Sequence, residues 1–359
     1  MNITKPKLLS KNVVSIDIGT YYIKIVSGKG NKNGVSIDTM NMVETSPGSY
    51  SDGQIIDINK MKDSIEEVLK REKIKAKSAI CTLESTSVIM RELEVPVIKK
   101  KEMMEMIKLE VQQYLPVDLK EYIIQYKKIK EFDDNGNKKA RILTVAMPKI
   151  IVNNYNQLLK MLRLKPMALD INSNALDKLF DEKTIINESF NFENKTVALM
   201  DIGYSYIHIV ILHNGVFQFN RLLNLGAKDI DSNIANSFNL TLEEAMKKKE
   251  EIESLNEVSN ETISSHIMMN DIIKSTIDSW IGDIERLFKY YTSKKVGNKI
   301  DKIFIHGQTS KFEGMDKYLE ELLDISVSKI KSLNNVDISK TDNKNLTSYI
   351  NAIGAMIRR

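Results

Sequence analysis

Two short runs carry the residue types that handle phosphate. VVSIDIGTYYIKIV (13–26) and VALMDIGYSYIHIV (197–210) align without a gap, so Asp17 faces Asp201, Gly19 faces Gly203 and Tyr22 faces Tyr206. An Asp-x-Gly turn between two strands presents backbone N–H groups to an anion, and its glycine lets the backbone come close. Thr20 in the first copy and Ser205 in the second add a hydroxyl beside the turn. Like charge keeps an aspartate off phosphate, but Asp17 and Asp201 suit Mg²⁺ held through water. Two such hairpins from two related domains could close on one nucleotide from opposite sides. A third glycine turn, Gly307 to Gly314 in IFIHGQTSKFEG, lies at a strand-to-helix junction where a base or ribose could lodge. Asp170 ends the strand LKPMALD, which suits either a carboxylate near Mg²⁺ or the N-cap of the next helix. Lys24 stands where the second copy has His208 and reads equally well as a phosphate cation or a solvent residue.

The remaining reactive types are scattered. His208, His213, His266 and His306 show no metal-ligand spacing. His306 precedes Gly307, so it either lines the pocket or packs at the strand end. Cys81 lies in the apolar run SAICTL and reads as a buried, inert thiol. Trp280, with Ile284 and Leu287 at helical spacing, reads as core. No residue stands out as a positioned general base, so fast hydrolysis is not expected.

The elements that must position these groups follow from periodicity. VVSIDI and YIKIV form a hairpin, NKNG turns it into VSIDTM, and Met61, Ile65, Val68 and Leu69 share one face of a helix over 58–73. KSAICTL is a further strand. Residues 86–164 read as a small α+β insert: strand TSVIMREL, a helix over 99–115 stopped by Pro116, two strands flanking DDNGN, and a closing helix over 150–164. After the strand LKPMALDI and a short helix, three consecutive strands from Val197 begin a second α/β domain, with Asn214-Gly215 as a turn. Long helices, the strand KIDKIFIHG, the helix FEGMDKYLEELL and a terminal amphipathic helix, LTSYINAIGAMIRR, complete it; the last is expected to pack back on the first domain.

With 359 residues, 42% apolar, 28% charged and a net charge of +4, the chain suits two or more packed domains rather than a nucleic-acid binder. One cysteine excludes an internal disulfide framework and fits a reducing compartment. The N-terminus lacks the apolar core of a signal peptide, and no run approaches the roughly 20 apolar residues that span a bilayer. A cytoplasmic protein is expected, meeting the membrane only indirectly, through a partner or a surface contact.

The two hairpins, the third glycine turn and the insert resemble the actin-like ATPase superfamily and, within it, the FtsA-like PilM family of type IV pilus assembly proteins. VALMDIGYSYIHIVILHNGVFQFNRLLNLGAKDI is similar to the family's second phosphate motif, with Arg221 and Gly226 at its basic and glycine positions. KIDKIFIHGQTSKFEGMDKYLEELLDISV looks like its adenosine motif. RELEVPVIKKKEMMEMIKLEVQQYLPVDLKEYIIQY resembles its inserted subdomain, including the helix end at Glu110, Gln113, Tyr114 and Pro116. The likeness spans nearly the whole chain. It implies an α/β fold: an actin-like (RNase H-like), FtsA-like two-lobed architecture with duplicated α/β domains. The first domain would comprise 1–85, 165–195 and 345–359, the insert 86–164, and the second domain with its helical part 196–344.

The resemblance further implies ATP with Mg²⁺ between the lobes, as a structural ligand or slow switch with at most slow ATPase activity. It implies nucleotide contacts from Asp17, Gly19, Thr20, Lys24, Asp201, Gly203, Tyr204, Ser205, Gly307 and Gln308, with Arg286 near the base or ribose. Metal contacts fall to Asp17, Asp201 and Asp170 through water. Glu110, Gln113 and Tyr114 would line a groove for the cytoplasmic tail of a PilN-like membrane protein, Glu110 pairing with a basic side chain of that tail. Other pilus platform or motor components are further expected partners. The chain departs from the family pattern where Gln308 replaces a glycine, His208 a lysine, and where Tyr204 is bulky beside the second turn. Two rivals share the superfamily: an FtsA-like membrane-tethered division protein, which normally ends in a membrane-binding helix, and a small-molecule kinase, which needs an acidic base at its substrate cleft.

Overall fold

A computed structural model describes residues 12–114, 118–252, 254–255, 264–294 and 296–358. The chain opens as a three-strand meander, β1 (Val13–Ile18), β2 (Tyr22–Asn31) and β3 (Gly34–Glu44). A small ribbon of β4 (Tyr50–Ser51) and β5 (Gln54–Ile55) leads to α1 (Ile58–Arg71). Asp57 caps that helix, accepting the amides of Asn59 (3.0 Å) and Lys60 (3.1 Å). Its apolar stripe, Met61, Ile65 and Val68, is buried, and β6 (Ser78–Leu83) then runs parallel to β1.

The chain next leaves for the insert: β7 (Ile89–Pro96), α2 (Lys100–Tyr114), β8 (Tyr122–Asp134) and β9 (Asn137–Pro148). Its three strands pair in the order β7-β9-β8 under α2, around Val95, Met103, Ile107, Val111, Ala140 and Ile142. The helix over 150–164, read from sequence as the insert's closing element, packs elsewhere. It is α3 (Lys149–Met161), and Ile151, Tyr155, Leu158 and Leu159 bury against Ile16, Met61 and Ile65 of the first sheet and α1. Chain order suggested the wrong neighbour; a wide apolar face needs a large surface, and the sheet offers it.

β10 (Lys165–Ile171) joins β6 in parallel, and α4 (Asn172–Leu179) turns inward. The second half repeats the first. β11 (Thr196–Ile202), β12 (Ile207–His213) and β13 (Val216–Leu223) form the meander. α5 (Ala227–Phe238), α6 (Leu242–Glu250) and α7 (Ser264–Ser293) follow, then β14 (Lys302–His306), α8 (Met315–Leu323) and β15 (Val327–Lys329). β16 (Val336–Asp337) crosses back to pair with β3, and α9 (Ile350–Ala355) is the last described element.

The sheet orders make the duplication explicit: β10-β6-β1-β2-β3-β16 in one and β13-β12-β11-β14-β15 in the other. In each, the strand bearing the aspartate pairs antiparallel with the next strand and parallel with a later one. Alternation along a strand then decides what each face meets. Val14, Ile16 and Ile18 face α1 and α3, and Ala198, Met200 and Ile202 face the α5, α7 and α8 side. Val13, Val197 and Leu199 face the core that the sheets share with α4 and α9. Asp17 and Asp201 continue these inward-facing series, at the ends of their strands.

Candidate functional site: the cleft between the sheets

A cavity of about 380 Å³ opens between the two sheets where β1 and β11 end. The two Asp-x-Gly turns form its walls, and their backbones close alike. The Gly19 amide donates to the Tyr22 carbonyl and the Gly203 amide to the Tyr206 carbonyl, each at 3.0 Å. Thr45 Oγ1 donates to the Gly19 carbonyl (2.8 Å) and Thr309 Oγ1 to that of Gly203 (3.2 Å). The tips, with Thr20 and Tyr21 on one side and Tyr204 and Ser205 on the other, line the same cavity. The Tyr21 and Tyr204 rings stack across it, with centroids 5.0 Å apart and planes 25° apart.

Lys24 is drawn into the site rather than left to solvent. Its Nζ lies 3.2 Å from Asp17 Oδ2, and the Asp17 Oδ1 accepts from Thr82 Oγ1 at 3.0 Å. Burial opposes its charge, but Asp17 and Asp201 outweigh that and hold the ammonium above its usual range. Asp201 accepts Asn351 Nδ2 from α9 at 2.6 Å. Burial opposes ionisation there too, yet His306, then Lys24 and the Asn351 amide, keep the carboxyl below its ordinary range. His306, 3.9 Å from Asp201, has its pKa lowered by burial, against the pull of that carboxylate. Asp201 Oδ1 is buried without a hydrogen-bond partner.

Gly307 (φ 91) is the glycine the site cannot replace. A Cβ there would sit 2.2 Å from Asp201 Oδ1. Gln308 lines the cavity but its Oε1 accepts from Ser348 Oγ (2.8 Å), which ties the turn to the segment before α9. Gly226 also serves by contact: a Cβ there would meet the Tyr204 carbonyl at 2.4 Å, under the second turn.

Two expected residues are not brought to the cleft. Arg286 lies on the outer face of α7, its side chain 79% exposed and paired with Asp283 at 2.8 Å. Asp170 binds Lys178 Nζ (2.6 Å) and Asn174 Nδ2 (2.7 Å) of α4, and its neighbour Asn172 lines the cavity instead. Arg221 is exposed on β13. The cavity is also lined by Met246, Lys249 and Glu250 at the end of α6, and by Ile252, Lys311 and Phe312. Lys249 Nζ is 2.5 Å from Asp231 of α5.

Sequence reasoning also passed over Glu84 and Asn351. Glu84 follows β6 directly, and its Oε2 lies 3.1 Å from His208 Nδ1 of the other lobe. A lone carboxylate ending the apolar strand SAICTL was the available signal. Asn351 had none, being one polar residue in a closing helix.

On the insert, Met103, Ile107 and Val111 form the buried stripe of α2. Glu110 flanks that stripe, half-buried, and Gln113 is exposed. The Tyr114 side chain and Pro116 lie outside the described residues. The insert is fastened to the rest by Lys127 with Asp177 and by Arg141, which binds Glu92 (2.8 Å) and the Gln218 carbonyl (3.4 Å).

Residues 15–359 match the family model of the type IV pilus assembly protein PilM. Among solved structures, the PilM–PilN type IV pilus biogenesis complex is similar at a TM-score of 0.78 and 20% identity, over 96% of this chain and 97% of that one. The ethanolamine utilization protein EutJ from Carboxydothermus hydrogenoformans is similar at 0.55 and 13%, over 99% and 91%. MreB5 of Spiroplasma citri bound to ADP is similar at 0.50 and 13%, over 96% and 95%. The fold is therefore the actin-like, two-lobed one that the family resemblance implied. Among the described residues no helix is long and apolar enough to cross a membrane.

Proposed function

The chain belongs to the type IV pilus assembly protein PilM family, and from that premise we propose that it is a nucleotide-binding scaffold of the pilus inner-membrane platform. Its partner is the cytoplasmic tail of a PilN-like membrane protein, as the complex named for its structural relative suggests. The protein stands in the cytoplasm and is peripheral to the membrane through that partner.

The observation that carries the nucleotide half is the pair of Asp-x-Gly turns, one from each lobe, facing one cavity with Lys24 between their aspartates. Their backbone amides, Thr20, Ser205 and Lys24 take the phosphates. Met246, Lys249, Glu250, Lys311 and Phe312 bound the place for the ribose and base. Mg²⁺ suits the phosphate end: Asp201 Oδ1 is a buried oxygen with no partner, and Asp17 lies across the cleft. Held there by Asp201 and Asp17, it would neutralise phosphate charge. The protein groups fix its neighbourhood, Thr82 orienting Asp17 and Asn351 orienting Asp201. Burial raises the Glu84 carboxyl well above its ordinary value and pushes the His208 imidazole down to about 4, which leaves the imidazole a weak base, and the nucleotide acts as a structural ligand or slow switch.

Titration calorimetry with Mg-ATP tests this. Asp17→Ala and Asp201→Ala are each expected to weaken binding at least tenfold, about 1.4 kcal/mol. Full affinity in both variants overturns the site. For the partner half, a synthetic PilN-type tail should be retained by the wild type and weakened by Glu110→Lys; unchanged retention removes Glu110 from the groove.

A further inference from the structure

The insert is gripped at its root by the opposite lobe. The chain leaves β6 at Leu83 and reaches β7 at Ile89, and two side chains of the second hairpin cross the cleft, one to Glu84 of this segment and one to the Asp52 loop that holds Thr86. Tyr206 Oη donates to Asp52 Oδ1 at 2.9 Å. Asp52 in turn accepts the Thr86 amide (2.8 Å) and Thr86 Oγ1 (2.5 Å). Two residues along the hairpin, His208 Nδ1 lies 3.1 Å from Glu84 Oε2. The loop carrying Asp52 is pressed flat on the root, since a Cβ on Gly53 would stand 2.5 Å from Ser85 Cβ. On its other side the His208 ring meets Asn220 Nδ2 (3.4 Å), and that amide reaches Met90 Sδ of β7 at 4.0 Å.

Tyr206 also closes the turn that faces the phosphates, through its carbonyl and the Gly203 amide. One short segment, 203–208, thus touches the cavity on one side and the insert's root on the other. We infer that Tyr206, through Asp52 and Thr86, and His208, through Glu84, couple occupancy of the cleft to the position of the insert and hence to its grip on the partner tail. This rests on the nucleotide and tail reading above. A phosphate group draws the 203–206 turn toward the first lobe, and the root of the insert moves with it. By linkage, the tail must tighten the nucleotide by the same factor as the nucleotide tightens the tail.

Asp52→Gly tests the relay. Glycine accepts the φ of 44 at that position and removes the carboxylate that Tyr206 and Thr86 share, outside the cavity lining. Thr86→Val, which keeps shape and deletes the hydroxyl, is the second variant. Hydrogen exchange is measured with and without Mg-ATP, alongside anisotropy of a labelled PilN-type tail peptide. In the wild type, ATP is expected to slow exchange both in the turns (17–24, 201–206) and over 84–96, and to change tail affinity about tenfold. In both variants the turns respond as before, while the response over 84–96 and the affinity change shrink to about twofold or less. Variants that keep the full response at 84–96 overturn the relay and leave the nucleotide site standing. A wild type that responds at the turns and nowhere in 84–96 does the same. A wild type showing no ATP response at the turns refutes the nucleotide reading itself, and the relay with it.

Discussion

Glu84 and His208 meet in a place where burial favours the uncharged form of both. Burial, with Asp201 and Asp17 nearby, raises the Glu84 carboxyl well above its usual value of 4.5. Burial likewise pushes the His208 imidazole down to about 4. The folded protein therefore holds a proton on Glu84 that the unfolded chain gives up above about pH 4.5. The stability this group lends is complete below that pH and is lost as pH rises through the raised folded value. Glu84→Gln keeps the shape and has no proton to lose. Denaturant unfolding at pH 5 and pH 8 should show the variant gaining on the wild type as pH rises. Parallel pH curves for the two proteins would show that Glu84 is not held in its acid form. The preference of this pair for its uncharged forms also bears on chemistry: the other carboxylates of the cleft, Asp17 and Asp201, are already engaged by Lys24 and Asn351.

The turns show how local rules and tertiary demands differ within one chain. Asn135 (φ 55) and Gly136 (φ 84) join β8 to β9, and a Cβ on Gly136 would meet nothing within 4 Å. Gly307 after β14 has a similar φ, but its Cβ would collide with Asp201. Gly136→Ala should cost about 1 kcal/mol, from backbone strain alone. Gly307→Ala should cost about 2 kcal/mol or more and lower nucleotide affinity, because the strain is joined by displacement of the carboxylate. Equal losses of stability with unaltered ATP binding in both would separate Gly307 from the site. The first kind of turn was legible in DDNGN, since hairpin chemistry is local. So were both Asp-x-Gly turns and the stripe of α1, because periods of 2 and 3.6 are written into the residues. The placement of α3 was not, nor was the face of α7: Arg286 lies on a helix that was read correctly but points to solvent. Asp170 and Asn172 differ by one alternation of the chain at a strand end, and only packing decides which of them the cavity receives. Lys24 was open between site and solvent, and the paired aspartates decided it.

At the scale of the molecule, the two lobes are not separate folding units. The core between the sheets takes Val13 and Val26 from one, Val197, Leu199, Val210 and Phe304 from the other, and is filled by Leu176, Leu179, Ile350, Ile353 and Met356 of α4 and the closing segment. α9 contacts α4, β1, β2 and β6. Its Asn351 reaches the second lobe's aspartate, so the same helix seals the core and sets the floor of the cleft. A shared core makes lobe closure a small adjustment around a fixed base, which is what a structural nucleotide needs to act on the insert rather than to open the whole molecule. Ile353→Ala removes a fully buried side chain from that core and should cost about 2–5 kcal/mol. Native-state hydrogen exchange reads the consequence by place. With one core, amides of β1 and of β11 lose protection together and by the same free energy, because both open only when the shared packing opens. Lobes with independent cores would instead show the loss in β1 and β6 while β11 and β14 kept theirs, and that outcome would also remove the rigid base against which the 203–208 segment is supposed to pull.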